Sequence, residues 1–571
     1  VGIGDVKSYV DVDDSTITSA KDTTLSAEGT NAVKMSLIDF SAVPMGGLSL
    51  DFSWAQLTSD VAAKVGEKAT LVSQGDVDIS AKSIRSLGSS ASNCGQTLGL
   101  SVGLGISDTK ATADMAGTVY AKGDVSVKAE NTLSENGGVY AADTVTASSI
   151  GGDTALKPTT DPIKGGFKNL FSKLKKAFTE EDKTGQAAKD LDLDKADKPA
   201  KQKKPWNKMG ANASTALLFS DNDATASVTG KVRGIDASGN ASDAAGAKSL
   251  TVDALTLSRS HAVVGSYQND TTSKDETTKK DNTITAAISY LEQRNHATAF
   301  ISGDTKTSGD TTVHAKTVIP WQTSWQSSDP VDQLLNVFFA SIDTNPVLPD
   351  LVDSWTQAAG NGDNVNGAAS VSIVNYDNNA KAYIGKKDDT QTTTPAVDAA
   401  GNVNVTGETD ITTVNLTGTI QSYLSAAPLN LWKTAYKDKD KKLAFQDIFN
   451  RNGWTMEGAS KAGVGGAALS VHQKNNAEAY IDDGAVVTAK GSADVNAKAR
   501  ALNIAMAAAG GPAKSVAIDA TVGVNRFDNT TKARIGNATV TAKDVSVTAE
   551  DLSKTIQAAG AIGVSGGTGI G

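Results

Sequence analysis

Apolar residues recur at every second position in short runs along this chain, and Gly, Asp and Asn separate the runs. One element reads apolar-x-small-x-apolar. It occurs at Val6-Lys-Ser8-Tyr-Val10, Val61-Ala-Ala63-Lys-Val65, Ala111-Thr-Ala113-Asp-Met115 and Ala224-Thr-Ala226-Ser-Val228, and again at Ala297 to Ile301, Ala380 to Ile384, Ala477 to Ile481 and Thr531 to Ile535. A second alternating element follows each copy after a turn, most clearly at Gly75-Asp-Val77-Asp-Ile79-Ser-Ala81, Gly123 to Ala129 and Asp544 to Ala549. Looser copies end at Ala27, Ala254, Ala315, Gly407 and Ala497. Period-two alternation predicts strands with one face turned inward and one outward.

Order and spacing recur together. In six of eight units the two small residues lie about 16 to 19 positions apart, and the shortest steps between units are about 50 to 55 residues. A fixed period of this size predicts stacked supersecondary units. The expected fold is all-β, an elongated repetitive β-solenoid of the parallel β-helix kind, with three helical insertions. Repeats are expected at 1–155, 209–318, 363–423 and 454–571. A helical or flexible Lys-rich insertion is expected at 156–208, and helical insertions at 319–362 and 424–453. If each unit supplies two coils at the usual strand spacing, the rod is about 75 Å long. Val1-Gly-Ile3-Gly-Asp5 resembles the segment before the third unit, and the last residues stop at a similar phase, so the chain is expected to be a piece of a longer array.

Ala382-Tyr383-Ile384-Gly385 and Ala479-Tyr480-Ile481-Asp482, with the later Gly-Asp-Val-x-Val-x-Ala, look like repeats of giant secreted surface proteins of Gram-negative anaerobes. These belong to the broad filamentous-haemagglutinin and leukotoxin-like adhesin group, and the resemblance covers most of the chain outside the insertions. It implies an extracellular or cell-surface location, an adhesive or structural role, and export through an outer-membrane partner. It also implies partners that are host or neighbouring-cell surfaces, other fibre subunits, or further repeats of the same chain.

Six of the seven Trp residues (Trp206, Trp321, Trp325, Trp355, Trp432 and Trp454) fall outside the repeat elements, so the insertions carry their own packing demands. Phe167, Leu170, Phe171, Leu174 and Phe178 stand at helical spacing with lysines on the other side. Such a helix leans on the solenoid, meets a protein, or lies on a membrane surface, and the last option gives a membrane-active toxin segment as one alternative. Long loops in a repeat array are where binding resides. The residues picked as partner contacts are therefore Trp321, Trp325, Trp355, Phe167, Phe171 and Trp432.

Composition narrows the function classes. Aromatic residues make up 5% of 571 residues, which suits thin stacked layers rather than deep globular cores. A net charge of -10 argues against tracking nucleic-acid phosphates. The single cysteine, Cys94, rules out an internal disulfide. No uninterrupted apolar run reaches membrane-spanning length. Four histidines (His261, His296, His314 and His472) lack metal-ligand spacing, and no nucleophile elbow is present. No catalytic, cofactor or metal residue is assigned and the chain is not expected to be an enzyme. Asp/Asn-rich corners offer oxygen ligands to Ca2+. The competing reading is a carbohydrate-active β-helix using Asp221, Asp223 and Asp377, read as corner residues, for acid-base work.

Overall fold

The computed structural model describes every residue except 41–47, 97, 137–138, 152–208, 270–281, 321–351, 362–363, 419–459 and 566. Each coil has three faces. The first is a long strand: Gly2–Val12, Leu48–Val65, Leu98–Met115, Met209–Val228, Asn282–Ile301, Val365–Ile384, Ser460–Ile481 and the second part of Ser492–Ile535. A short strand follows at a corner, such as Thr70–Ser73, Thr118–Ala121 or Val486–Ala489. The third face runs back, as in Thr23–Phe40, Val77–Gln96 and Val403–Gly418. In three coils it is divided, into Asp124–Leu133 and Asp143–Gly151, into Ser249–Leu257 and Ser260–Asn269, and into Thr311–Ile319 and Ser354–Asn361. Eight short strands stack in one sheet, so the described residues form eight coils.

Neighbouring coils pair in parallel and in register. Ala63, Ala113, Ala226, Ala299, Ala382, Ala479 and Ala533 form one continuous column of the first face. On the third face, Ala27, Ala81, Ala129, Ala254, Ala315, Gly407, Ala497 and Ala549 form another. Both repeat elements therefore stack as their spacing predicts, with one shift. Val10, not Ser8, pairs with Ala63, so the first unit sits two positions later.

The expectation of two coils per unit is corrected. Strands of 18 to 20 residues consume a whole unit in a single wide turn, and eight layers make a stack about 38 Å tall. The expected helices at 156–208 and 424–453 lie outside the described residues, and no helix occurs among those described. The boundaries of 319–362 change: Ile319 closes one strand, and Ser354–Asn361 is another, paired with Ser260–Asn269.

Two apolar cores share each layer. Near the short strand, the three faces enclose Val65, Leu71, Val77, Ile79 and their stacked equivalents. Farther along, the first and third faces pack directly through Leu57, Leu87, Val145, Leu218 and Leu291. Small residues dominate where the faces converge, because opposing backbones leave little room: a Cβ on Gly407 would lie 2.2 Å from the carbonyl of Glu478. Each layer buries few bulky groups, so stability accumulates through contacts between neighbouring coils.

The Gly-Asp turns have a specific cause. Oδ1 of Asp22 accepts the backbone N–H of Asp76 at 2.9 Å, and Oδ1 of Asp76 accepts that of Asp124 at 2.8 Å. Asp310 accepts from Asn402, and Asn402 from Ser492, at 2.7 and 2.9 Å. A Cβ on Gly75, Gly123, Gly401 or Gly491 would fall within 2.2 Å of the acceptor oxygen below it. Glycine makes the space, and the carboxylate or amide of the preceding coil fills it.

Candidate contact surfaces

Asn222, Asn295, Asn378, Asn475 and Asn529 share one column of the first face, turned inward between the two apolar cores. Their side-chain amides bond in series at 2.9, 2.7, 2.9 and 2.9 Å. Thr109 continues the column and donates to Asn222 at 3.0 Å. An Asn ladder satisfies buried amides that would otherwise be costly. This overturns the reading of Asp221-Asn222-Asp223 and Asp377-Asn378-Asn379 as corners. Both lie in mid-strand, with Asn inward and its neighbours outward. The available sequence signal was Asn placed two residues before the last five copies of the first element, at Ala224, Ala297, Ala380, Ala477 and Thr531.

The outward neighbours build a charged strip. Asp108, Asp221, Arg294, Asp377, Lys474 and Asp528 form one column. Arg294 lies 3.9 Å from Asp221, and Lys474 lies 3.5 Å from Asp377. In the adjacent column His296 Nδ1 is 3.4 Å from Asp223. Burial, and then the charge of Asp223, raises the Asp221 carboxyl above its ordinary range. The hydrogen bond to Asp223 raises His296 despite its partial burial. Asp221 and Asp377 stand two layers apart, about 9.6 Å between strand backbones, with Arg294 between them. From Asp221 to Asp528 the charges of the column alternate, which favours register as much as chemistry, whereas Asp108 sets a like charge beside Asp221.

On the third face His314 sits beside Asp253 at 2.9 Å and 3.8 Å from Glu408, which Lys316 approaches to 3.1 Å. Burial alone would lower the imidazole, but hydrogen bonds to Asp253 and Glu408 outweigh it and push it up to about 9. The same contact to His314 holds Glu408 down to about 2. His472 pairs with Asp528 at 3.0 Å, and His261 is buried. Among the described residues no three His, Cys, Asp or Glu side chains are grouped to hold a metal. At the Gly-Asp turns, Asp22 and Asp310 use Oδ1 on backbone N–H groups of the next coil.

The Ala-Tyr-Ile motif places a ring outward between two inward residues. Phe300, Tyr383 and Tyr480 stack at centroid spacings of 4.9 and 5.0 Å, and the Arg534 guanidinium lies 4.9 Å from the Tyr480 ring. All three rings are buried, and burial raises both phenols. This column is packed structure, not an open platform.

Of the residues picked as partner contacts, Phe167, Phe171, Trp321, Trp325 and Trp432 lie outside the described residues. Trp355 is corrected: it belongs to strand Ser354–Asn361, pairs in register with Val263 and Leu416, and is 8% exposed. A ring so buried is a packing group.

Two ion pairs lie inside the coil. Arg85 Nε meets Asp143 at 3.1 Å with both side chains fully buried, and Arg85 also donates to Asn131 at 2.6 Å. Asp143 opens a strand after the excursion that follows Leu133, and it accepts the N–H of Leu87 at 3.1 Å. Arg259 and Asp353 form the second pair at 3.7 Å where the third face divides, and burial pushes the Asp353 carboxyl up to about 6.

The segments outside the described residues fall at recurring places in the strand order. Segments 41–47, 152–208, 270–281 and 419–459 all connect the end of a third-face strand to the start of the next first-face strand. The described strands that flank them therefore meet at one edge of the stack. Segment 321–351 falls between Thr311–Ile319 and Ser354–Asn361, two strands of one third face. No family model, curated protein or solved structure matches the chain.

Proposed function

We propose that this chain is a structural and adhesive segment of a large bacterial cell-surface or secreted fibre, not an enzyme. The solenoid is the stiff element, and the segments leaving its edge make the contacts. The observation that supports this reading is the shared edge. Leu98 pairs with Ala211, and Val365 with Ala462, in unbroken register although long segments intervene. The stack thus carries insertions of very different length without disturbing its core, which is what a display scaffold requires. The adhesin-like Ala-Tyr-Ile-Gly and Gly-Asp-Val-x-Val-x-Ala motifs point the same way and support an extracellular location.

The test joins excision with binding. Removing 156–208 and closing the gap with a short turn should keep the β spectrum and cooperative melting. Replacing Trp321, Trp325 and Trp432 should reduce adhesion to cell surfaces without altering melting. Unchanged adhesion after all of these changes would sink the reading.

One observation favours the competing carbohydrate-active reading: Asp221 is raised by burial beside Asp223, as a general acid requires. Release of sugar from a polysaccharide panel by the parent chain, abolished by Asp221→Asn, would establish that reading instead.

A further inference from the structure

Outward positions on the first face change character along each strand. The half nearest the short strand carries the charged strip. The other half is apolar across the stack: Leu50, Phe52, Phe219, Ile288, Val464 and Val522 point outward and are 37 to 63% exposed. Register places them in one continuous field on successive coils. Phe219 and Tyr290 lie in ring contact across it at 5.4 Å.

The field is about ten residues wide and seven layers tall, since Gly2–Val12 pairs only with Ala55–Val65, and covers about 1,100 Å² per chain. Exposed apolar patches on monomers are about 300–600 Å². Two such fields facing one another would bury about 2,200 Å², within the range of about 2,000–5,000 Å² for permanent dimers. The face is also continuous in its course among the described residues. From Leu48–Val65 to Ser460–Ile481 its strands run without a break, and the described interruptions, after Leu133, Leu257 and Ile319, fall on the third face.

The occupant follows from the repeat. Apolar rows recur at the strand spacing, so a partner that buries every row must share that spacing. A second copy of this chain has it, and sheets pack face to face about 10 Å apart with their strands nearly aligned. Each half-face is its own complement under a two-fold axis, which closes the assembly at two. The charged halves then lie at the rim. We infer that two copies of this solenoid pair laterally through the apolar half of their first faces. The inference makes no use of the edge segments, so loss of pairing and loss of adhesion are separable.

The experiment is sedimentation of the full chain across the micromolar range. The parent should sediment as a dimer. Phe52→Lys with Ile288→Lys should weaken association at least 100-fold, with unchanged circular dichroism and melting. Thr146→Lys, on the outer side of the third face, should leave the dimer intact. Ala369→Lys with Ala520→Lys, on the same first-face field, gives a second disruption that removes no large side chain. A parent that stays monomeric overturns the inference. So does association that persists in both first-face variants, which would come instead from the terminal layer, where Val545 and Val547 are uncovered. Flotation of a monomeric parent with phosphatidylcholine vesicles would assign the field to lipid and overturn it equally.

Discussion

Asn295 donates through Nδ2 to Oδ1 of Asn378 at 2.7 Å, and both residues are fully buried in successive coils. Each interior amide of the series is donor to one neighbour and acceptor from the other. Asn378→Ala should therefore strand Nδ2 of Asn295 and leave Oδ1 of Asn475 with only the 3.4 Å contact from Gln473. A loss of about 1–3 kcal/mol is expected for each buried group left unpaired. Denaturant unfolding checks it, and a change under about 0.5 kcal/mol would mean that the ladder contributes nothing net.

Removing Asp143 leaves the guanidinium of Arg85 buried with its charge unmatched. Asp143→Ala should cost about 3–5 kcal/mol, whereas Arg85→Met combined with Asp143→Leu should recover most of it. Comparison of the single and double variants by urea unfolding decides the matter. Equal damage in both would show that the cavity, rather than the lone charge, sets the cost.

Gly401 and Asp310 are coupled across a corner. A methyl group on Gly401 would meet Asp310 Oδ1 at 2.2 Å and displace it from the Asn402 N–H. Gly401→Ala should destabilise the parent more than it destabilises an Asp310→Ala background. The coupling expected from a double-mutant cycle is about 0.5–3 kcal/mol. Additive losses would remove the corner argument.

His314 gives a pH signature. Its imidazole is raised to about 9 in the fold from an ordinary 6.5, so its protonated pairing with Asp253 and Glu408 stabilises fully below pH 6.5 and is lost as pH rises through 9. The melting advantage of the parent over His314→Gln should be constant from pH 5 to 6.5 and shrink by pH 9. A difference independent of pH would show that the histidine acts through packing alone.

Period-two alternation and the recurrent small residues revealed the strands and their stacking before any coordinates, because inward positions repeat chemically from coil to coil. The buried Asn column was misread because Asn is ambiguous locally. It favours turns, yet it also bonds to itself when stacked in register, and only the neighbouring coil distinguishes the two. Trp355 misled for a similar reason: a bulky residue beyond the last recognisable repeat looks like insertion, although it continues the third face. The partnership of Arg85 with Asp143 was hidden by the 58 positions that separate them. The outward apolar field was visible as alternation but lacked meaning until the register aligned its rows.

In-register parallel pairing also sets how the rod answers to load. Its backbone hydrogen bonds run along the stacking axis while the covalent chain circles around it. Tension between the chain ends therefore pulls terminal layers away one at a time instead of shearing many bonds together. Each coil of about 50 residues, once peeled, lengthens the chain by about 170 Å, far more than the thickness of the layer it leaves. A stack of this construction is a compact extension reserve, yielding stepwise and dissipating work while the remaining layers keep their register.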